Sequence, residues 1–408
     1  MTTQFSKKTK HGHITSVNAK VARNINRSII LNSIRRHQPV SRAVISELTK
    51  LNKSTVSSIV ESLVDESLVS ENPDLNAGVG RRPVNLHIRT GQHFVGAIFF
   101  DAPVTRVAVV DIDGTIQARD EINTPAGAPE ELVARCIGRL NELRSRLGGH
   151  RFRGIGASVA GIVDSTQSKV IYAVNLGWDN VELGNIIHDQ MPEVEMVSVE
   201  NDAKASALAE LLLGSHQLSA SNLVFLSVGA GIGAGIVVNG RILSGSMHAA
   251  GEIGHMTVVD GGEQCPCGNT GCWELYASER APVRGYHELK KSPADSADSS
   301  SLENVMAAAR AGDTDALLVL RRWAQHVGVG IGNLICTCDP DAVVVGGQIT
   351  RIWDIVYPDI NESAQGSGVF ARQHRATILP ASLSDNPALM GAAALSIRKI
   401  FTDYTIAL

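Results

Sequence analysis

The sequence predicts a winged helix-turn-helix head, helical with a small β wing, followed by a larger two-lobed α/β body. Three observations carry this expectation. Charge is divided: residues 1–90 hold 14 Lys/Arg against 6 Asp/Glu, and the remainder holds 23 against 35. Three helix-patterned stretches at the start lead into a cationic, Gly-containing hairpin. Beyond it, strand-like runs followed by helical stretches occur twice over, the pattern of two α/β lobes with a cleft between them. With 408 residues, 44% of them hydrophobic, the chain can bury two or three cores. The expected division is a head over residues 1–88, a first lobe over 89–198 completed by a C-terminal helix at 386–408, and a second lobe over 199–385.

In the head, Ile25, Ile29, Ile30 and Ile34 keep one face of a first helix. Pro39-Val40-Ser41 stops it and offers Ser41 as the N-cap of a second helix carrying Val44, Ile45 and Leu48. After a short turn, Val56, Ile59, Val60, Leu63 and Val64 recur with helical spacing. The front of this third helix is polar. Lys53, Ser54, Thr55 and Ser57 are small donors and acceptors with one cation, suited to base edges and phosphates. Residues 76–83 then read as the wing, whose Arg81 and Arg82 suit a minor groove. A basic head on an acidic body predicts a polyanion partner for the head alone.

In the body, Phe94–Asp101, Arg106–Asp111 and Thr115–Ile122 read as three strands and Glu130–Leu147 as a helix. Asn222–Val228, Gly235–Val238 and Arg241 onward repeat the theme. The longest apolar run, Leu223–Val238, has sixteen residues and four glycines, which suits two buried strands better than a membrane span. With no apolar leader at the polar, basic start, the reading is a cytoplasmic protein without membrane insertion. Pro387 begins a small-residue helix. Cys136 is expected to pack in a helix, and Cys336 and Cys338 as core thiols by a strand. The run Ser292–Ser301 reads as an exposed insertion and a candidate partner surface.

The segment from His255 to Glu274 is the most informative. His255, Cys265, Cys267 and Cys272 fall within eighteen residues, interleaved with glycines that permit tight turns. Three thiolates and a neutral imidazole are what tetrahedral zinc requires, and four protein ligands leave no open position, so the Zn2+ expected here is structural.

These residues resemble the ROK (repressor, ORF, kinase) family over essentially the whole body, and the head is similar to the winged helix of its NagC/Mlc-type repressors. The cysteine segment is the most specific match; Glu200-Asn201-Asp202-Ala203 and Asp339–Gly347 support it. The resemblance implies an actin-like ATPase fold for the body. It also implies a sugar site in the cleft, with Asn201 and Asp202 meeting sugar hydroxyls and Asp202 standing where the kinases keep a general base. Glu252, His255, Glu274 and Asn175 match further sugar-contacting positions. His255 would join metal to sugar.

The phosphate machinery departs from the kinase pattern. The kinases' first phosphate turn reads Asp-x-Gly-Gly-Thr; here the stretch is Asp101-Ala102-Pro103-Val104-Thr105, without either glycine and with a proline that has no N–H. The second, from Gly229 to Gly235, keeps its glycines. The chain is therefore expected not to be an enzyme. It reads as a DNA-binding transcriptional regulator, a repressor of carbohydrate genes controlled by a sugar or sugar phosphate. It is expected to bind operator DNA as a homodimer or homotetramer, because one short helix reads few base pairs. The alternatives are an ATP-dependent sugar kinase with an appended DNA-binding head and a repressor answering to a protein partner.

Overall fold

The computed structural model describes residues 19–73, 84–125, 127–148, 152–216, 220–290, 301–366, 376–383 and 386–402. Arg81 and Arg82 of the expected wing tip, and all of the Ser292–Ser301 run except Ser301, lie outside them. Two compact units form, one from residues up to Thr90 together with those from Lys399 on, the other from Gly91 to Arg398.

In the first unit, helices α1 (Ala19–His37), α2 (Arg42–Thr49) and α3 (Lys53–Asp65) are joined by a sheet of β1 (Val40–Ser41), β2 (Val69–Pro73) and β3 (Val84–Ile88) in the order β1-β3-β2. Ser41 caps α2, accepting from the Val44 amide at 3.4 Å. Lys50 ends that helix in the left-handed region at φ 59, turning the chain sharply into α3. β2 and β3 pair from Val69↔Ile88 to Pro73↔Val84, the stem of the expected wing hairpin. The core is Ile30, Leu31, Ile34, Ile45, Val56, Ile59, Val60, Leu63 and Leu86. Three expected core residues are instead exposed: Ile29, Val44 and Leu48. Helical spacing marked the right helices, and Ile30 and Ile34 are buried as expected, but Leu31 rather than Ile29 completes the buried face of α1, and α2 buries only Ile45.

The second unit contains two five-stranded sheets built to one plan. The first comprises β4 (Phe94–Phe100), β5 (Val104–Asp111), β6 (Ile116–Asn123), β7 (Phe152–Val159) and β11 (Val197–Asn201), in the order β11-β7-β4-β5-β6. The second comprises β12 (Leu223–Val228), β13 (Ile232–Val238), β14 (Arg241–Ile242), β15 (Ala342–Gly346) and β16 (Thr377–Pro380), in the order β14-β13-β12-β15-β16. In each, an antiparallel meander of three strands is extended by two parallel strands. This is the repeated α/β lobe that the sequence predicts. A small antiparallel sheet of β8 (Ile162–Asp164), β9 (Lys169–Ala173) and β10 (Trp178–Val181) flanks the first.

Helices α4 (Pro129–Arg146) and α5 (Leu183–Gln190) contribute Leu132, Val133, Cys136, Leu140 and Ile187 to the core of the first sheet. The short α7 (Trp273–Ala277), with α8 (Arg280–Lys290), α9 (Leu302–Arg310), the 25-residue α10 (Thr314–Cys338) and α11 (Trp353–Gly366), covers the second sheet around the buried Trp273 and Trp323. Cys336 and Cys338 therefore end a helix, with Cys336 exposed and Cys338 half-buried, rather than packing as core thiols.

Between the sheets run α6 (Asp202–Leu213) and α12 (Pro387–Phe401). Small residues make this possible. A Cβ on Gly156 would overlap the Ala392 carbonyl, and one on Gly235 would overlap that of Ala203. Ser158, fully buried, donates to the Ala388 carbonyl at 2.8 Å. The C-terminal helix thus packs on β7.

Candidate functional site

A cluster of polar side chains is built where β11 hands over to α6. Asn201 is the N-cap: its Oδ1 accepts from the Lys204 amide at 3.0 Å, while its Nδ2 donates to the Gly161 carbonyl at 3.0 Å and to Asp202 Oδ1 at 2.9 Å. Asp202 is thereby fixed as the first residue of the helix. Burial pushes its carboxyl up to about 7, the Ala203 amide opposes this, and the negative charges of Asp101 and Glu252 push the same way as burial. Glu252 is also raised, by burial and by Glu274, against His255 and Lys204. Asp101 is raised by burial and accepts hydrogen bonds from the Ala102 amide and the Asn175 side chain. Glu274 is aimed by its Oε2, which accepts from the Ile232 amide at 3.0 Å.

Asn201, Asp202, Glu252, Glu274 and His255, with Asn175 reached through Asp101, therefore share one electrostatic neighbourhood. Crowded carboxyl groups, one of them poised to carry a proton near neutrality, can both donate to and accept from hydroxyls.

The adjoining loop brings His255, Cys265, Cys267 and Cys272 together with their ligand atoms within 4.8 Å of one another, a group able to hold a metal ion. Cys265 Sγ lies 3.8 Å from His255 Nδ1, and Cys267 Sγ lies 3.7 Å from Cys272 Sγ. Bonds of about 2.0–2.3 Å to a tetrahedral zinc imply ligand separations of about 3.3–3.8 Å. The donor set and spacing fit that ion. Backbone geometry sets the spacing: Gly268 and Gly271 have φ 95 and 67, and a Cβ on Gly271 would overlap the Val259 carbonyl. Immediately after Cys272, Trp273 is fully buried and donates through Nε1 to the His326 carbonyl at 2.7 Å. Glu274 follows it, so the cysteine loop braces both a core anchor and the carboxylate that takes the Ile232 amide.

The glycine turns differ from their reading in sequence. Only Gly229–Gly231 forms a turn; Gly233 and Gly235 lie inside β13, where Gly235 lets α6 approach. The Glu279 amide donates to the Gly229 carbonyl at 2.9 Å. Its carboxylate accepts from the Gln348 amide at 3.2 Å and from Gln348 Nε2 at 3.0 Å, just beyond the Gly346-Gly347 turn. In the Asp101–Pro103 stretch the Ala102 amide is taken by Asp101 Oδ1 at 2.8 Å, and Thr124 Oγ1 donates to the Asp101 carbonyl at 2.6 Å.

In the head, Lys53 and Ser54 are exposed and Thr55 and Ser57 half-buried at the start of α3. Asn52 caps this helix, taking the Thr55 amide at 2.7 Å and the Ser54 hydroxyl at 2.9 Å. Among the described residues, no helix is long and apolar enough to cross a membrane.

Sequence reasoning missed several polar residues around the cleft. Lys204 is almost fully buried and donates to the His248 carbonyl at 2.7 Å; Glu200 is buried beneath it. His248 Nε2 stands 3.7 Å from Asp164 Oδ2. An isolated Lys in an alanine-rich helix was the available signal, since burial of such a residue requires partners.

Comparison with known proteins agrees with this architecture. The chain is 30% identical over 377 residues to a xylose repressor of Bacillus spizizenii, covering 91% of this chain and 95% of that protein. The crystal structure of a ROK family transcriptional regulator, a homologue of the E. coli Mlc protein, superposes with a TM-score of 0.80 at 25% identity, covering 93% of this chain and 97% of that one. A ROK family glucokinase from Streptomyces griseus, in complex with glucose and AMPPNP, matches with a TM-score of 0.65 at 30% identity, covering 74% of this chain and 98% of that one. The sequence pattern of the ROK family matches residues 102–399, and the chain belongs to that family.

Proposed function

We propose that this protein is a sugar-responsive transcriptional repressor. One observation carries the reading: a helix-turn-helix unit with a polar-fronted third helix stands in the same chain as a cluster of buried carboxyl groups beside a His/Cys loop able to hold a metal ion. The likeness to a xylose repressor, which extends over 91% of this chain and so takes in the head, supports it. We assign the head to residues 1–88, the first lobe to 89–198 with 386–408, and the second to 199–385. Lys53, Ser54, Thr55 and Ser57 contact operator DNA, joined by Arg81 and Arg82. Asn175, Asn201, Asp202, Glu252, His255 and Glu274 hold the sugar, and xylose is the first effector to test. His255, Cys265, Cys267 and Cys272 hold zinc, whose contribution is structural. The active form is a homo-oligomer in the cytoplasm.

Sugar enters the account through differential affinity. A ligand shifts the repressor only as far as it prefers one closure state of the cleft, typically by about 1–3 kcal/mol. Asp202 serves as a sugar contact rather than a working base. The kinase alternative is favoured by the likeness to the S. griseus glucokinase. Against it stand Pro103, which offers no N–H, and the Ala102 and Gln348 amides, which are occupied by this chain's own carboxylates. A coupled assay for ADP release over pentoses and hexoses tests the point: no turnover is expected, and sustained turnover would make the protein a kinase.

A further inference from the structure

The segment between β14 and the metal loop, residues 243–252, carries Glu252 into the cleft. Its own anchoring is unusual. His248 sits in the left-handed region at φ 58, which is uncommon for a non-glycine residue. Two contacts hold it from opposite sides. Its carbonyl accepts from Lys204 Nζ at 2.7 Å, on α6, which continues directly from β11 and packs between the two sheets, while the segment itself is held to β13 of the second sheet by the Ala234 amide donating to the Gly251 carbonyl at 2.9 Å. Its Nε2 faces Asp164 Oδ2 at 3.7 Å, on β8, which contacts β11 of the first sheet. Asp164 is itself set by its other oxygen, which accepts from the Thr166 hydroxyl at 2.6 Å and amide at 3.0 Å and from the Gln167 amide at 3.3 Å. Glu200, buried at the end of β11, adds negative charge near both His248 and Lys204. His248 Nδ1 is shut off from solvent with no hydrogen-bond partner among the described residues, so the ring is not placed for that nitrogen's benefit.

We propose that His248 is a positioning residue for the cleft, tying the Glu252-bearing segment to Asp164 on one side and to Lys204 on the other, so that ordering Glu252 and holding the two sheets together are a single event. This rests on the reading of the cleft as a sugar site. It identifies His248 and Asp164 as residues through which occupancy and closure are linked.

Two substitutions separate this role from general stability. His248→Asn removes the imidazole but suits the left-handed backbone, because Asn tolerates that region. Asp164→Asn keeps an oxygen for the Thr166 and Gln167 turn and replaces the oxygen facing His248 by an amide. Hydrogen exchange of peptides covering residues 243–252 is measured without ligand for the full-length protein, both single variants and the double variant. Each single variant should exchange there about tenfold faster with an unchanged unfolding temperature, and the double variant no faster than either, since the pair acts as one unit. Unchanged exchange, or effects that add, would overturn the proposal. The same proteins are then titrated with xylose, glucose and their phosphates. Variant affinity should drop about tenfold while sugar-free DNA affinity stays put; equal losses in both would mean a merely structural role. If no sugar binds the unsubstituted protein, the sugar reading falls, while the exchange data still judge the latch.

Discussion

Replacing Asp202 by Asn should make the protein more stable while removing its response to sugar. The carboxyl is raised from its ordinary 3.8 to about 7, first by burial and then by the nearby charges of Asp101 and Glu252. Held ionised in the fold, it therefore costs at most about 4 kcal/mol more than in the unfolded chain. The direction follows from proton linkage. Below pH 4 the carboxyl is protonated in both states and carries no penalty; the penalty accumulates as pH rises from about 4 to about 7 and is constant above. Asn mimics the protonated acid and keeps an oxygen for the 2.9 Å hydrogen bond from Asn201. D202N should thus exceed the parent protein by about 2 kcal/mol at pH 5.5 and up to about 4 kcal/mol at pH 8.5. Urea unfolding at the two pH values, followed by tryptophan fluorescence, measures the gap. A gap that does not widen with pH, or a variant less stable at pH 8.5, would refute the argument that Asp202 is a strained, desolvated carboxylate. Sugar binding measured on the same samples should be lost, the pattern of a residue retained for function at a cost in stability.

Further outcomes follow from the metal loop, the interlayer packing and the head. Cys265→Ser should lower bound zinc and unfolding temperature together, and should weaken sugar binding through Glu274; metal analysis beside calorimetry checks this, and unchanged zinc would remove the site. Gly156→Ala should destabilise by about 3 kcal/mol or more, because the added Cβ meets the Ala392 backbone carbonyl rather than a movable side chain; denaturant titration measures it. Lys53→Ala should weaken operator binding and reduce the salt slope by about one while leaving the unfolding temperature unchanged; DNA titrations at several salt concentrations decide it.

What was legible in the sequence was what is local. His255, Cys265, Cys267 and Cys272 lie within one loop, so their spacing alone predicts a cluster. Ser41 announces itself as the cap of α2 by following Pro39-Val40 at the start of a helical pattern, whereas the capping role of Asn201 emerges only in the structure. The three meander strands of each five-stranded sheet follow from runs of Val, Ile and Phe, although the sequence does not reveal that Val40–Ser41 joins β3, a pairing between residues far apart in the chain. The misreadings have physical causes. Glycine serves turns and close packing equally well, so Gly235 reads as part of a phosphate loop when it admits α6 against β13. Cys336 and Cys338 do precede a strand, but they read as core thiols because sequence does not show which face of the last turn of a 25-residue helix is covered. Lys204, His248, Asp164 and Glu279 act through partners that are distant in sequence, and only the fold brings them together.

The measurement that tests the central claim most directly is titration of the purified protein against its own upstream DNA, with free and phosphorylated sugars at fixed salt. The account predicts sequence-selective binding that one sugar shifts by about tenfold, equivalent to about 1.4 kcal/mol. Tight binding indifferent to every sugar, or no sequence-selective binding at all, would contradict it.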